Sequence, residues 1–438
     1  MKERIKLGLV CLARETFDHK AAAAIYEGLV RELAKLENVD WEAVPGLVIS
    51  VEDARRAAAR LAAAGLDGMV CLSGTFHLGH LVLELRSELR LPFLLWGLPE
   101  LPYDGGKIRL NSVCGVNLDA SNLYKSGVDD YTASVGPGID ETWVDAIRAI
   151  AALRRARVGV AGDRAHGFFN LGVSDTELFG EVGALVDHFE LSELYAEPAA
   201  PSALELRREQ LRGTFDCSGV TEAQVAKVAE LAARIDAFCG RTGLTALAIR
   251  CWPEFARDYG VAPCAAMSLL QSEGRLLACE GDLEGALSMI AHRAVGGETP
   301  FLFDFSQVDL EKNYALLWHC GVAPCNLWDG VSKRSLDTYF AGGRGVTAGF
   351  VLKAGPVSIA RLDSARGKRR LLLQEGRALP MEKELSGTYA KVEFGRPVKE
   401  LLDLIVYKGF AHHASAVYGS YSAPLRLAAR LKGWEVAE

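Results

Sequence analysis

Residues 274–304 read GRLLACEGDLEGALSMIAHRAVGGETPFLFD. From Gly274 to Cys279 the chain has the apolar run of a buried strand, and the run ends in Glu280. Gly281-Asp282 turns the chain, residues 283–295 carry helical periodicity, and Gly296-Gly297 ends it. Pro300-Phe301-Leu302-Phe303 is a second apolar strand, ending in Asp304. A strand–helix–strand unit of this kind predicts a right-handed crossover that leaves both strands parallel in one sheet. On that reading Glu280 and Asp304, 24 positions apart, lie at one sheet edge, where open α/β sheets bind their ligands. Strand spacing alone separates them by a few to about 10 Å. Two acids that close repel unless one takes a proton or a cation lies between them, and a divalent metal with oxygen ligands suits the pair. Trp318-His319-Cys320-Gly321 then ends an apolar segment in a histidine, and Gly409-Phe410-Ala411-His412-His413 holds the one adjacent histidine pair.

Plainer readings stand beside these. Asp282 has the position of a helix N-cap, strand-end acids are often ordinary loop polarity, and single histidines are often satisfied core residues. What favours chemistry is convergence, in a chain with only nine histidines.

Working outward, the N-terminal part alternates strand and helix. Residues 5–12, 68–72 and 92–96 are strand-length apolar runs, and 20–36, 51–64 and 78–89 are helical. Such alternation predicts βαβ units on a parallel sheet. No GxGxxG or Walker A sequence follows the first strand, so no nucleotide cofactor is expected. A helix near 140–155 leads to a strand at 157–161 and a second α/β block, in which 197–203, with two prolines, reads as a loop or edge. After residue 310 the texture changes. Segments 346–352, 357–361 and 369–374 are short and alternating, which predicts antiparallel β-structure as a small barrel or sandwich; helices return near 398–406 and 424–431. The expected domains are 1–150, 151–310 and 311–438.

The 438 residues predict two to four domains. Half are hydrophobic and the net charge is −7, a composition that excludes disorder and argues against nucleic-acid binding. No apolar run is long enough to span a membrane. Met1-Lys2-Glu3-Arg4-Ile5 runs directly into the first strand without a signal-peptide pattern, and a cytoplasmic location is expected. The ten scattered cysteines, none in a CxxC pair, then read as reduced, mostly buried thiols. Trp96, at a strand end, and Phe76 and His77 are candidates to line a ligand site, with core packing the plain alternative for Trp96. Arg14 follows the first strand and could grip an anionic group. Asn111 and Asn117 read first as turn residues, with Asn117 kept as a substrate-binding candidate.

At these residues the chain resembles the L-fucose isomerase / L-arabinose isomerase superfamily, and within it the shorter fucose isomerase-like branch. The carriers are Ala278-Cys279-Glu280-Gly281-Asp282, Pro300-Phe301-Leu302-Phe303-Asp304, Leu317-Trp318-His319-Cys320-Gly321, Ser73-Gly74-Thr75-Phe76-His77-Leu78-Gly79, Leu94-Leu95-Trp96-Gly97-Leu98-Pro99-Glu100 and residues 109–117, with 409–413 similar to a C-terminal histidine turn. The resemblance implies two Rossmann-like or flavodoxin-like α/β domains with parallel sheets and a C-terminal antiparallel, barrel-like β domain. It implies a homo-oligomer, often a hexamer, with sites shared between subunits. It implies a divalent metal, usually Mn2+ (or Co2+ or Mg2+), held by Glu280, Asp304 and His413, with the two carboxylates doubling as the acid–base pair. His412 is the neighbour most easily confused with His413 and a further substrate-binding candidate. His319 resembles a ligand present in arabinose isomerases and absent from fucose isomerases, which leaves its role open. The implied activity is aldose–ketose isomerisation of an open-chain deoxyhexose, pentose or modified hexose, a sulfonated one included. The alternatives are a non-catalytic cytoplasmic sugar-binding protein, and a metal hydrolase using the same Glu/Asp/His set, which the lack of an HExxH motif weakens.

Overall fold

The computed structural model describes residues 2–340 and 345–438. They form two compact units: Lys2–Ala151 with Leu427–Gly433, and Ala152–Arg426 with Trp434–Glu438.

In the first unit, β1 (Ile5–Leu12), β2 (Val39–Val48), β3 (Gly68–Ser73), β4 (Phe93–Gly97) and β5 (Tyr131–Val135) make an all-parallel sheet in the order β2-β1-β3-β4-β5. Every residue of β3 and β4 is buried, which is why these strands read as continuous apolar runs. The helix Val51–Ala62 opens with a capping box between Ser50 and Asp53 and buries Ala54, Ala57, Ala58 and Leu61 against the sheet's core. β2 has no counterpart in the periodicity. It is an edge strand, half-exposed along most of its length, and it contains Pro45 and Gly46.

In the second unit, β6 (Arg157–Ala161), β7 (Leu185–Phe189), β8 (Ala246–Ile249) and β9 (Leu277–Cys279) form a parallel sheet, order β7-β6-β8-β9. A nine-stranded sheet follows, built from β10 (Phe301–Asp309), β11 (Tyr314–His319), β12 (Ser335–Phe340), β13 (Gly345–Val351), β14 (Gly355–Ala365), β15 (Lys368–Leu379), β16 (Thr388–Phe394), β17 (His413–Tyr418) and β18 (Glu435–Ala437). Its order is β12-β13-β16-β11-β10-β17-β14-β15-β18, with β15 also paired to β16. Most pairs are antiparallel as expected, but β13 meets β16 and β15 meets β18 in parallel, so the sheet is mixed.

The structure corrects the reading of 274–304 in one respect. The helix, Leu283–Ala294, is present, but β9 and β10 are not parallel neighbours. β9 ends the four-stranded sheet beside β8, whereas β10 is antiparallel to both β11 and β17. The helix therefore joins two sheets instead of crossing over within one. It is buried at every position except Arg293, as a helix packed on all sides must be. Glu284 pairs with Arg369, and His292 Nδ1 with Ser415 Oγ at 2.9 Å, while His292 Nε2 is buried without a hydrogen-bond partner.

Candidate metal centre

Glu280 directly follows β9, at the carboxyl edge of the four-stranded sheet. It has φ +62° and Gly281 has φ +72°, two successive left-handed residues that swing the chain off the sheet. The turn is pinned on both sides. Gly281 N–H donates to Ile249 O at 3.0 Å, and Ala165 N–H donates to Glu280 O at 2.9 Å. A Cβ on Gly281 would stand 2.3 Å from Asp163 O. Gly281→Ala is therefore expected to destabilise the protein by about 1–3 kcal/mol, from the cost of a left-handed non-glycine residue with a backbone clash added. A thermal midpoint equal to that of the unsubstituted protein would refute this.

Asp304 and His413 are brought together by strand pairing. They are directly opposite each other on β10 and β17, the arrangement in which cross-strand side chains meet. On the other side of β10, Asp304 is opposite Trp318, and His319, the last residue of β11, reaches the same group. Glu280 comes to this group from the other sheet. Its Oε2 lies 3.0 Å from His413 Nε2 and 3.8 Å from His412 Nε2, while Asp304 Oδ1 lies 3.4 Å from His413 Nε2. One ligand atom each from Asp304, His319 and His413 falls within 4.8 Å of the others, as does one each from Glu280, His412 and His413.

His413 is fully buried, and its outer nitrogen is held by Asp282, whose Oδ2 accepts from Nδ1 at 2.9 Å. Asp282 does cap the helix, with Oδ1 accepting from Gly285 N–H at 2.8 Å, but it also pairs with the buried Arg361 guanidinium. A carboxylate can only accept here, so Nδ1 carries a proton, and Nε2, which faces Glu280 and Asp304, becomes a lone-pair donor once the ring is neutral. Burial opposes charge on Asp282 and Glu280. For Asp282 the Arg361 charge and the bond from His413 outweigh it; for Glu280 the bonds from His412 and His413 do. Both carboxyls are held well below the usual carboxylate range. Burial likewise opposes a proton on His413, but the bonds to Asp282 and Glu280 push its pKa up to about 9.

The donor set fits a divalent cation. Asp304 Oδ1 and His413 Nε2 are buried with no hydrogen-bond partner, although buried polar atoms are almost always satisfied. Two carboxylates converging on one point repel unless a positive charge lies among them, supplied by a second proton on His413 or by a cation in its place, and oxygen and imidazole donors suit Mn2+-type ions.

Several contributors had no signal in the sequence. Trp252 Nε1 donates to Glu280 Oε1 at 2.9 Å, fixing the carboxylate so that Oε2 points inward. Phe168 packs edge-on against both Trp252 and His412, and Asn170 contacts His412 Nδ1 at 3.3 Å. Arg361 is 79 residues from Asp282 in sequence. Behind the site lie four buried thiols, with Cys251 and Cys279 at 3.0 Å and Cys264 and Cys320 at 3.5 Å. All ten cysteines are free and eight are buried, as expected.

The remaining candidates belong to the first unit. Trp96 is fully buried, and its Nε1 donates to Gly136 O at 2.9 Å. His77 is fully buried, with Nδ1 on Thr75 O and Nε2 on Asp119 Oδ2, each at 2.9 Å. Both rings are therefore spent within their own unit. Phe76 is half-buried and stacks edge-on with Phe17 at 5.8 Å. Arg14 is half-buried, and Asn117 is exposed. Asn117 sits inside the helix Ser112–Lys125, not in a turn; Asn111, with φ +53°, is the turn residue before it.

The chain is similar to known proteins. A family model described as the N-terminal domain of fucose/sulfoquinovose isomerase matches residues 8–160. A sulfoquinovose isomerase of Priestia aryabhattai is 29% identical over 426 residues, 95% of this chain and 95% of that protein. One from Alkalicoccus urumqiensis is 28% identical over 387 residues, 85% and 86% of the two chains. Among solved structures, a periplasmic solute-binding protein of Actinobacillus succinogenes with bound D-allose overlaps 66% of this chain and 89% of its own at 12% identity, but the TM-score of 0.19 is too low to bear on the fold.

Proposed function

We infer that this chain, which belongs to the fucose isomerase-like superfamily, is a metal-dependent aldose–ketose isomerase whose substrate is an open-chain sugar, with a 6-sulfonated hexose such as sulfoquinovose the first to test. The observation that carries this reading is the convergence of Glu280 Oε2, Asp304 Oδ1 and His413 Nε2, the last two buried and unpartnered. Glu280, Asp304 and His413 would hold the ion. Mn2+ is the first choice, with Co2+ and Mg2+ as alternatives. When bound, the ion supplies Lewis acidity for the negative charge that develops on the sugar oxygens as C2 loses its proton.

The chain's own groups do the rest. One of the pair Glu280 and Asp304 takes the proton from C2 and returns it to C1, while the other handles the hydroxyl proton. Trp252 keeps Glu280 from rotating out of line. Asp282 keeps the His413 lone pair directed inward. Phe168, Trp252 and His412 form an aromatic rim on the Glu280 side that limits water. Arg14 and Asn117 are retained as candidates to complete a neighbouring subunit's site in a homo-oligomer, with a hexamer the state to look for. No helix among the described residues is long and apolar enough to cross a membrane, consistent with the proposed cytoplasmic enzyme. The proposed domains are 1–150, 151–310 and 311–438, and the pairing of β15 back to β16 supports a closed barrel in the last part.

The test is direct. Protein stripped with a chelator and reloaded with Mn2+ is incubated in D2O with sulfoquinovose and a panel of unsulfonated aldoses. The expected result is ketose formation with deuterium at the exchanged carbon, abolished by the chelator. Sugar binding without conversion of any sugar, with metal bound, would overturn the reading in favour of a binding protein.

A further inference from the structure

The two buried histidines beside Asp304 are wired in opposite senses. His413 offers Nδ1–H to the Asp282 carboxylate, so in the neutral ring its Nε2 is the lone-pair donor. His319 is the reverse. The backbone N–H of Cys320 donates to His319 Nδ1 at 2.9 Å. An amide N–H can only donate, so Nδ1 must be unprotonated and the ring proton sits on Nε2. The Cys320 thiol, 3.2 Å from the same nitrogen, can donate to it as well; the backbone N–H alone makes the assignment. His319 is 3% exposed, and its ring is stacked at 5.5 Å on His413. Its Nε2 has no hydrogen-bond partner and is aimed into the space bounded by Asp304 and His413.

A nitrogen that carries a proton cannot ligate a cation. Moving the proton to Nδ1 would set N–H against N–H and leave the buried Cys320 amide unsatisfied, a costly arrangement in an interior. We propose that His319 is not a metal ligand, and that its Nε2–H is a fixed hydrogen-bond donor to the substrate oxygen that gains negative charge during proton transfer. This rests on the isomerase reading above. It divides the site into three groups that hold the ion, Glu280, Asp304 and His413, and one neutral donor preorganised for the developing charge.

The experiment compares His319→Leu, His319→Gln and His413→Leu in the full-length protein, reading Mn2+ affinity from the free-ion EPR signal and turnover separately. Expected for His319→Leu is an Mn2+ affinity within about 3-fold of the parent, with kcat lowered about 100-fold or more, as for loss of one oxyanion-type donor, and KM little changed. His319→Gln, which can place an amide donor near the Nε2 position, should recover part of kcat. His413→Leu should lose Mn2+ affinity by at least about 10–100-fold. Loss of Mn2+ affinity in His319→Leu equal to that in His413→Leu overturns the proposal, and so does unchanged kcat in both His319 variants. If His319→Leu does not fold, 15N-histidine NMR of the unsubstituted protein with diamagnetic Mg2+ decides, because it reports directly which His319 nitrogen is protonated. A protein that converts no sugar at all would defeat the isomerase reading, while the metal and NMR measurements would still decide whether His319 is a ligand.

Discussion

Glu280→Gln is expected to abolish turnover while leaving the fold intact. The substitution is nearly isosteric, and the amide oxygen can still accept from Trp252 Nε1, the bond that fixes the parent carboxylate at 2.9 Å. The change falls on the inward atom. An amide NH2 in place of Oε2 stands about where the parent oxygen is, 3.0 Å from His413 Nε2, and can donate to that lone pair. The amide would therefore compete with a cation for the neutral His413 Nε2, and the carboxylate ligand itself is lost. Loss of a general base alone costs about 100- to 10,000-fold in rate, and weakened metal binding adds to this. The checkable signature has two parts: no detectable ketose, and a thermal midpoint that no longer rises when Mn2+ is added, because a ligand stabilises only the state it binds. Normal turnover in this variant would remove Glu280 from the proposed pair.

Asp282→Asn should be nearly as damaging from outside the ligand set. Asn can keep the helix cap, since one side-chain oxygen still accepts from Gly285 N–H. Its amide nitrogen then faces two donors, the Arg361 guanidinium and His413 Nδ1–H. His413 can escape by moving its proton to Nε2, which removes the lone pair from the site. A misplaced imidazole tautomer can cost about 10,000-fold in rate, and loss of an outer-shell partner weakens metal binding by about 10–100-fold. There is also a stability cost, because Arg361 is fully buried and loses its nearest counter-charge. Breaking a buried pair costs about 3–5 kcal/mol. The upper part of that range is not expected, because Glu284 and Asp363 remain at 3.8 and 3.7 Å. Urea denaturation and Mn2+ titration of the same preparation separate the two effects. A variant with parental metal affinity would show that Asp282 is a cap and ion-pair partner only.

The central strands and most helices were legible because they are buried elements with strong periodicity. Two kinds of feature were not. Edge elements such as β2 carry no apolar run, being half-exposed and interrupted by Pro45-Gly46. Sheet assignment was also hidden: the 274–304 pattern is the same whether its two strands share a sheet or begin separate ones, since only the partners of β10, far away in sequence, decide it. The two acids were singled out by their positions at strand ends, yet they meet for a different reason than strand order suggested. Asp304 is brought to His413 by cross-strand pairing, and Glu280 by a left-handed turn. Asp282 shows the limit of local reading most clearly. Its cap role follows from the next three residues, whereas its hold on His413 and Arg361 depends on residues 131 and 79 positions away.

The direct pairing of Asp304 with His413 on antiparallel strands has a consequence for how this architecture tolerates changes in length. Side chains alternate faces along a strand, so a one-residue slip of β17 against β10 would carry His413 to the opposite face. An insertion or deletion within Phe301–Asp304 or His413–Ala416, the paired strip, therefore dismantles the ligand set outright. Loops within residues 305–412, outside the strand pairs that place His319 and Arg361, are under no such constraint. Loops there can lengthen or shrink while both ends of the strip stay in register, so descendants of one ancestral site can differ widely in total size without moving a ligand.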